Sequence, residues 1–234
     1  MDKQQKKIKI FCIIPAYNEE KSIIQAINNV KPLVDGIVVV DDGSVDNTAA
    51  LAARQGVVVL KHLINRGQGA ALETGNNYSR DRADVIVHFD ADGQFDHREI
   101  ADIIQPIVDQ ECDIVFGSRF LGKKSNMPLF KKNIIMPIAR LMNYLIIGKS
   151  NLTDPQNGFR AMSRKTALLL EINNDGSAHC SEIIQQTIKN KIRYKEIPVT
   201  ITYSNFGQNI FKGKGRGMGG FQIIKDLLFS KFIN

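Results

Sequence analysis

The chain has 234 residues, of which 43% are hydrophobic and 24% charged, with three cysteines and no tryptophan. Such a composition buries a sizeable core and excludes a disordered, collagen-like or disulfide-scaffolded chain. The formal charge of +7 suits an anionic partner, whether a nucleotide, a nucleic acid or an acidic membrane surface, without choosing among them.

Cys12, Cys112 and Cys180 are far apart, odd in number and lack metal-ligand spacing, the usage of reduced, buried thiols in a cytosolic protein. The basic start MDKQQKKIKI leads into an apolar stretch too short for a signal-peptide h-region and broken by Pro15. No uninterrupted apolar run approaches the roughly 20 residues of a membrane-spanning helix. The expectation is a cytoplasmic protein that can still touch a membrane.

In chain order, IKIFCIIPA, GIVVVDD, VVVLKH, ADVIVHFD and CDIVFGS predict strands: short runs rich in Ile and Val, bounded by turn formers. Between them KSIIQAINNVKPL, NTAALAARQ, GAALETGNNYSRDR and HREIADIIQPIVDQ carry apolar residues at helical spacing. This alternation predicts an α/β fold, a mostly parallel central sheet with helices on both faces. The second half is less regular. KKNIIMPIARLMNYLIIGK reads as an apolar helix interrupted by Pro137 and Arg140, DPQNGFRAMSRK as a loop and strand, SEIIQQTIKNK as a helix and IRYKEIPVTITY as a strand. Residues 1–210 are read as one domain. Residues 211–234 follow as a basic, glycine-rich run, FKGKGRGMGG in sequence from 211, and an amphipathic helix, FQIIKDLLFSKFIN.

Polar clusters fall where the first four strands end: Pro15-Ala16-Tyr17-Asn18-Glu19-Glu20, Asp41-Asp42-Gly43-Ser44, Asn65-Arg66-Gly67-Gln68-Gly69 and Asp90-Ala91-Asp92-Gly93-Gln94. Ligands of open α/β sheets bind at the carboxyl ends of the strands, so a shared rim makes the set more informative than any member. In an extended segment Asp90 and Asp92 face the same side and repel unless a cation sits between them. A hard divalent ion fits such oxygen ligands, with Gln94 able to add a carbonyl oxygen. The competing reading is a solvated turn with a helix N-cap near Asp96. Asp41 and Asp42 admit two readings as well: Asp46, Asn47 and Thr48 are N-cap types, while an Asp before a Gly turn can accept N–H groups of a base. Gly67 and Gly69 lack the full dinucleotide-binding spacing and the lysine of a P-loop, and read as a helix opening with close backbone approach.

Taken in order, IIPAYNEEKSI, VVVDDGSVDNT, NRGQGAALETG, VIVHFDADGQF, IVFGSRF and DPQNGFRAMSR resemble the inverting glycosyltransferases of family 2. Within that family they are most similar to the polyprenyl-phosphate (dolichyl-phosphate) mannose or glucose synthase branch. The resemblance covers about residues 8–165 and implies a GT-A fold, a nucleoside diphosphate sugar donor (UDP or GDP) and Mg²⁺ or Mn²⁺. By position it implies that Pro15, Tyr17 and Glu19 line the nucleoside pocket and that Asp42 faces the base. It further implies that Asp90, Asp92 and Gln94 hold the metal, and that Arg119 lies near the sugar and phosphates, where a guanidinium suits bidentate contacts. The branch's usual DADLQHPP is DADGQFDHRE here, which puts the shape of the following turn in question.

The implied chemistry is metal-assisted departure of the nucleoside diphosphate with inversion at the sugar. A lipid phosphate acceptor is already ionised, whereas a saccharide hydroxyl needs a carboxylate base. Glu182 stands where the broader family can carry one, with Asp154 as a second candidate and first-turn dipole compensation as the structural role for Glu182. Lys131 and Lys132 before the apolar 130s segment, and Lys212, Lys214 and Arg216 before the last helix, suit a peripheral contact with the inner face of the membrane, alone or beside a membrane partner protein. Ordinary packing or a homo-oligomer contact would use the same faces. A nucleic-acid partner is not expected, because the basic residues are dispersed and no aromatic platform accompanies them. Transfer to a saccharide hydroxyl, or nucleotide-sugar binding without turnover, are the alternatives.

Overall fold

The computed structural model describes residues 7–122 and 152–202. The expected helix of the 130s and 140s, and the whole segment 211–234, lie outside the described residues.

The strand β1 (Ile10–Ala16) runs through the middle of the molecule because both of its faces are apolar. Cys12 and Ile14 enter one core, with Ile23 and Ile27 of helix α1 (Ile23–Val30) and Ile100 and Ile103 of helix α4 (Ile100–Val108). Ile13 enters the other, with Leu72 of helix α3 (Gln68–Ser79) and Ile183 and Ile184 of helix α6 (His179–Lys189). Alternation with period two thus feeds two opposed cores from one continuous apolar run. The remaining strands are β2 (Gly36–Asp41), β3 (Val58–Lys61), β4 (Val85–His88), β5 (Ile114–Ser118), β6 (Arg160–Ser163) and β7 (Tyr194–Pro198). Two short helices complete the set, α2 (Thr48–Ala53) and α5 (Arg164–Leu169).

The seven strands lie in the order β3-β2-β1-β4-β6-β5-β7. The expected parallel sheet is present, with one exception: β6 runs antiparallel to both β4 and β5. That reversal matters for function. It brings the start of β6, with Asn157 and Gly158 just before it, to the rim where β1, β2, β4 and β5 end. The three cysteines are free and buried, as expected.

Helix α3 lies close against β1 at Gly75, where an added Cβ would stand 2.4 Å from Cγ2 of Ile13. Ile13 is fully buried in the central strand and has no room to yield. Gly75→Ala gains about 1 kcal/mol of helix propensity but overpacks a rigid core, at a cost of about 1–3 kcal/mol. The expected result is a net destabilisation of up to about 2 kcal/mol, read from the urea midpoint at unchanged slope; an increase in stability would contradict this packing.

Candidate active site

The carboxyl ends of β1, β2, β4 and β5 open into a cavity of about 540 Å³, a volume in the range of small-molecule sites. Pro15, Tyr17, Glu19 and Asp42 line one part of it, and Asp90, Asp92, Gln94 and Arg119 another. Eight of the nine residues expected at the site are therefore brought together. Glu182 is the exception.

The loops after β1 and β2 hold each other through side chains rather than through a sheet. Asn18 takes a left-handed backbone (φ 55°); its N–H donates to Oγ of Ser44, and its Oδ1 accepts from the N–H of Val45. The N–H of Glu19 donates to Oγ1 of Thr48, while Oδ1 of Asp46 accepts the Thr48 N–H. Asp46 thus braces the start of α2 from the position before its N-cap Asn47, whose own side chain makes no capping bond. Burial pushes the Glu19 carboxyl up, Ser22 opposes this through a hydrogen bond, and the nearby Asp92 and Asp46 add to the rise.

Asp42 is 3% exposed and receives three donors: Nδ1 of His62 at 2.6 Å, the N–H of Arg66 at 3.0 Å and the N–H of Gly67 at 2.7 Å. It anchors the NRG loop to the end of β2 while lining the cavity. The glycines of that loop answer to close backbone approach, as read from the sequence. An added Cβ would stand 2.3 Å from the carbonyl oxygen of Asp175 at Gly67, and 1.9 Å from that of Asn174 at Gly69.

Strand β4 stops at His88, so Asp90 and Asp92 project from a turn and not from an extended strand. They share the cavity wall all the same. Oδ1 of Asp90 accepts from Nε2 of Gln68 at 2.7 Å. Asp92 accepts the backbone N–H of Gln94 at 3.0 Å and its side-chain amide at 2.5 Å. Burial and the neighbouring Asp92 push the Asp90 carboxyl up to about 7, and burial also raises Asp92. Two mutually repelling carboxylates and an amide form an oxygen-donor set that calls for a hard cation. No closed cage of three or more His, Cys, Asp and Glu occurs among the described residues. That sparse set fits Mg²⁺ or Mn²⁺, which bind through one or two carboxylates while ligand phosphates and water complete the shell.

The unusual FDHRE after this turn has a definite job. Gly93 takes φ 73°, a backbone glycine adopts without strain. Phe95 stacks on Phe159 at 5.1 Å between ring centroids and meets Phe89 edge-on at 5.7 Å. Asp96 caps the next turn through the N–H of Arg98, and Glu99 accepts the N–H and hydroxyl of Thr200. The substitution for the proline-rich pattern therefore ties the acidic turn to the chain following β7.

Arg119 reaches the cavity with its fork already engaged: Nε and Nη2 each donate to Asp154 at 2.6 Å. Asp154 is 2% exposed and also accepts from the side chain of Asn157. Its backbone N–H, with that of Thr153, donates to Glu196. Asp154 is thus a support for Arg119 and does not stand free as a base. Glu182, the candidate base of the sequence, is placed elsewhere. It sits in the first turn of α6, outside the cavity lining, and accepts the N–H groups of Asn173 at 3.1 Å and Asn174 at 2.9 Å. The expected base is a fastener for the loop that rests on Gly67 and Gly69. The residues missed from sequence are Gln68, Asn157 and Cys180 in the cavity wall and Arg160 behind it. Gln68 stood in view inside NRGQG, but the others arrive through the antiparallel strand and α6.

The Glycosyl transferase family 2 model matches residues 11–168. A UDP-N-acetylglucosamine–dolichyl-phosphate N-acetylglucosaminyltransferase from Methanococcus voltae is 34% identical, with 95% of this chain and 96% of that protein covered. A dolichol-phosphate mannosyltransferase from Pyrococcus furiosus is 30% identical over 88% of this chain and 60% of its own. Among solved structures, glucosyl-3-phosphoglycerate synthase from Mycobacterium tuberculosis, in complex with Mg²⁺ and UDP, superposes with a TM-score of 0.73 at 19% identity. It covers 97% of this chain and 81% of that one, a likeness of fold.

If Glu182 fastens the 173–174 loop, Glu182→Gln weakens charge-assisted bonds and lowers stability by about 1 kcal/mol. Limited proteolysis should then cut near 173–176 faster than in the wild type; an unchanged cutting rate and melting midpoint would refute the fastening role.

Proposed function

The chain belongs to glycosyl transferase family 2, and from that premise we propose that it moves a sugar from a nucleoside diphosphate sugar to a polyprenyl phosphate, using Mg²⁺ or Mn²⁺ held by Asp90, Asp92 and Gln94. One observation carries the reading. The oxygen-donor set after β4 shares a single cavity with the Pro15, Tyr17, Glu19 and Asp42 wall and with Arg119, the arrangement a nucleoside diphosphate sugar requires. The nucleoside lies along the first wall and the diphosphate runs toward Asp92 and Arg119. A bound divalent ion supplies Lewis-acid stabilisation of the leaving diphosphate. Arg119, oriented by Asp154, adds a fixed positive charge on the same side, which costs no reorganisation as charge develops.

The state of the carboxylates favours a phosphate acceptor. Asp154 is committed to Arg119, and Glu182 is committed to backbone N–H groups outside the cavity. An ionised lipid phosphate attacks without giving up a proton, so neither is needed as a base. The end-to-end match to the Methanococcus voltae protein supports the same acceptor class and makes UDP-N-acetylglucosamine the first donor to test.

No helix among the described residues is long and apolar enough to cross a membrane. The basic residues Lys212, Lys214 and Arg216 and the apolar Phe221, Ile224, Leu228 and Phe232 suit attachment to an anionic surface. We place the enzyme on the inner face of the membrane on that ground.

Purified protein is given a panel of UDP- and GDP-sugars, a short polyprenyl phosphate and Mn²⁺ or Mg²⁺, and both nucleoside diphosphate and glycolipid are measured. Product that needs the lipid phosphate and the metal is expected; dependence on an oligosaccharide instead would overturn the acceptor. Asp92→Ala should lower turnover by about 100-fold or more, while Glu182→Gln should stay within about twofold of the wild type. A hundredfold loss in Glu182→Gln would restore that residue as a base. Flotation with anionic liposomes should carry the full chain and leave a form ending at residue 210 behind; equal recovery of both in the soluble fraction would exclude the membrane role of the last segment.

A further inference from the structure

Behind the acidic turn lies a buried cluster that the transfer reaction leaves unused. Arg160, 1% exposed, stands in register with His88 of β4 and Phe116 of β5, and its guanidinium is buried between the sheet and helix α6. Nε donates to the carbonyl of Gly158 at 3.3 Å, and Nη2 to the carbonyl of Asn157 and to Sγ of Cys180, both at 3.0 Å. Nη1 is buried and has no hydrogen-bond partner among the described residues. On its other side Cys180 meets Nε2 of His179 at 3.4 Å. Nδ1 of His179 is 2.8 Å from the carbonyl of Gly176, which can only accept, so Nδ1 carries a hydrogen. Nε2 is left to take the thiol proton and, once protonated, to donate back to sulfur.

A guanidinium only donates, and it stays charged when buried, so it needs an acceptor that bears negative charge. The sulfur is that acceptor. Burial alone would push the Cys180 thiol up, but His179 and Arg160 outweigh it and bring it down to about 6. Burial raises both Cys12 and Cys112. Unlike them, Cys180 is among the residues that line the cavity.

We propose that Cys180 is a site of reversible oxidation by hydroperoxides. The thiolate sulfur attacks one peroxide oxygen, an S–O bond forms and the O–O bond breaks. Sulfur is oxidised by two electrons and the peroxide is reduced, its other oxygen leaving as hydroxide from hydrogen peroxide or alkoxide from an organic hydroperoxide, which takes the sulfenic proton to give water or an alcohol and a sulfenate. The new oxygen adjoins the guanidinium whose Nη1 has no other partner, so Arg160 stabilises the product as well as the nucleophile. A low-molecular-weight thiol reverses the change: its sulfur displaces hydroxide to form a mixed disulfide, and a second thiol releases Cys180 and carries off the other sulfur as its own disulfide. The sulfenate also sets a fixed negative charge near Asp90, whose carboxyl already feels Cys180. Oxidised protein should therefore bind UDP with Mn²⁺ differently from reduced protein, a consequence that rests on the proposed donor site.

The full chain is reduced, exposed to hydrogen peroxide, quenched in urea with dimedone and mapped by peptide mass. Cys180 should be labelled roughly tenfold or more faster than Cys12 and Cys112, and dithiothreitol before the quench should remove the label. Arg160→Met should erase the advantage and Arg160→Lys restore part of it. Should Arg160→Met fail to fold, His179→Gln replaces it, with a slowed labelling rate expected. Equal labelling of all three cysteines, or none at Cys180, would overturn the proposal. In calorimetry, a change in UDP–Mn²⁺ affinity on oxidation that is absent in Cys180→Ser supports the consequence, and equal affinity in the two states of the wild type overturns it. Failure of reduced protein to bind UDP at all counts against the donor site and leaves the labelling result to decide the thiol.

Discussion

The site depends on how one positive charge is kept buried between the sheet and helix α6. Arg160 sits between β4 and β5 with no carboxylate hydrogen-bonded to it among the described residues, and its donors go to two carbonyls and a sulfur. A charge so placed is tolerable only if negative groups gather around it. Cys180 supplies one by contact, and Asp90, on the cavity side, feels Arg160 at longer range. The antiparallel strand β6 thus sets a positive charge behind the acidic turn after β4, where it opposes, without overcoming, the burial and the neighbouring Asp92 that push the Asp90 carboxyl up to about 7.

Around that centre, the rim is built from carboxylates that accept backbone N–H groups. Asp42 gathers the NRG loop, Asp46 the start of α2, Glu99 the chain after β7, Glu182 the loop over α3, and Glu196 the turn carrying Asp154. The bonds of Asp42, Glu99 and Glu196 join segments distant in sequence and so fix loops relative to the sheet, while those of Asp46 and Glu182 act locally. Charge-assisted bonds of this kind are worth more than neutral ones. This explains why so many acidic residues of a basic protein cluster at one end: most of them hold the walls, and few are left to face a ligand.

The central sheet was legible because its strands are buried on both faces. GIVVVDD and IKIFCIIPA need no alternation to declare themselves, and the clusters after them fall on one rim by the logic of parallel strands. DPQNGFRAMSR was legible as a strand but not as an antiparallel one, since neighbour and direction are decided by contacts far along the chain. The same limit explains the placement of Glu182. Glu182 lies at the start of a helix, as read, yet whether such a carboxylate turns to the cavity or to a loop depends on where residues 173–176 rest, and glycines 67 and 69 decide that. Cys180 read as one more reduced, buried thiol because nothing in SAHCSE shows that an arginine twenty residues earlier lies against its sulfur.

The support of Arg119 carries this reasoning one step further. Glu196 on β7 holds the backbone of Thr153 and Asp154, and Asp154 holds both arms of Arg119. Strand β7 pairs with β5, which ends at Ser118 just before that arginine. Position and orientation of the guanidinium are thus set from two adjacent strands at once. A side chain held this way gives up little freedom when a phosphate reaches it, because its conformational entropy has already been lost in folding. The arrangement also limits what Arg119 can offer: with Nε and Nη2 on Asp154, a ligand oxygen meets a fork whose outer edge is engaged. In the donor site proposed above, its contribution to a diphosphate would accordingly be that of a fixed charge more than of a bidentate clamp, with the rest falling to a cation held by Asp90 and Asp92.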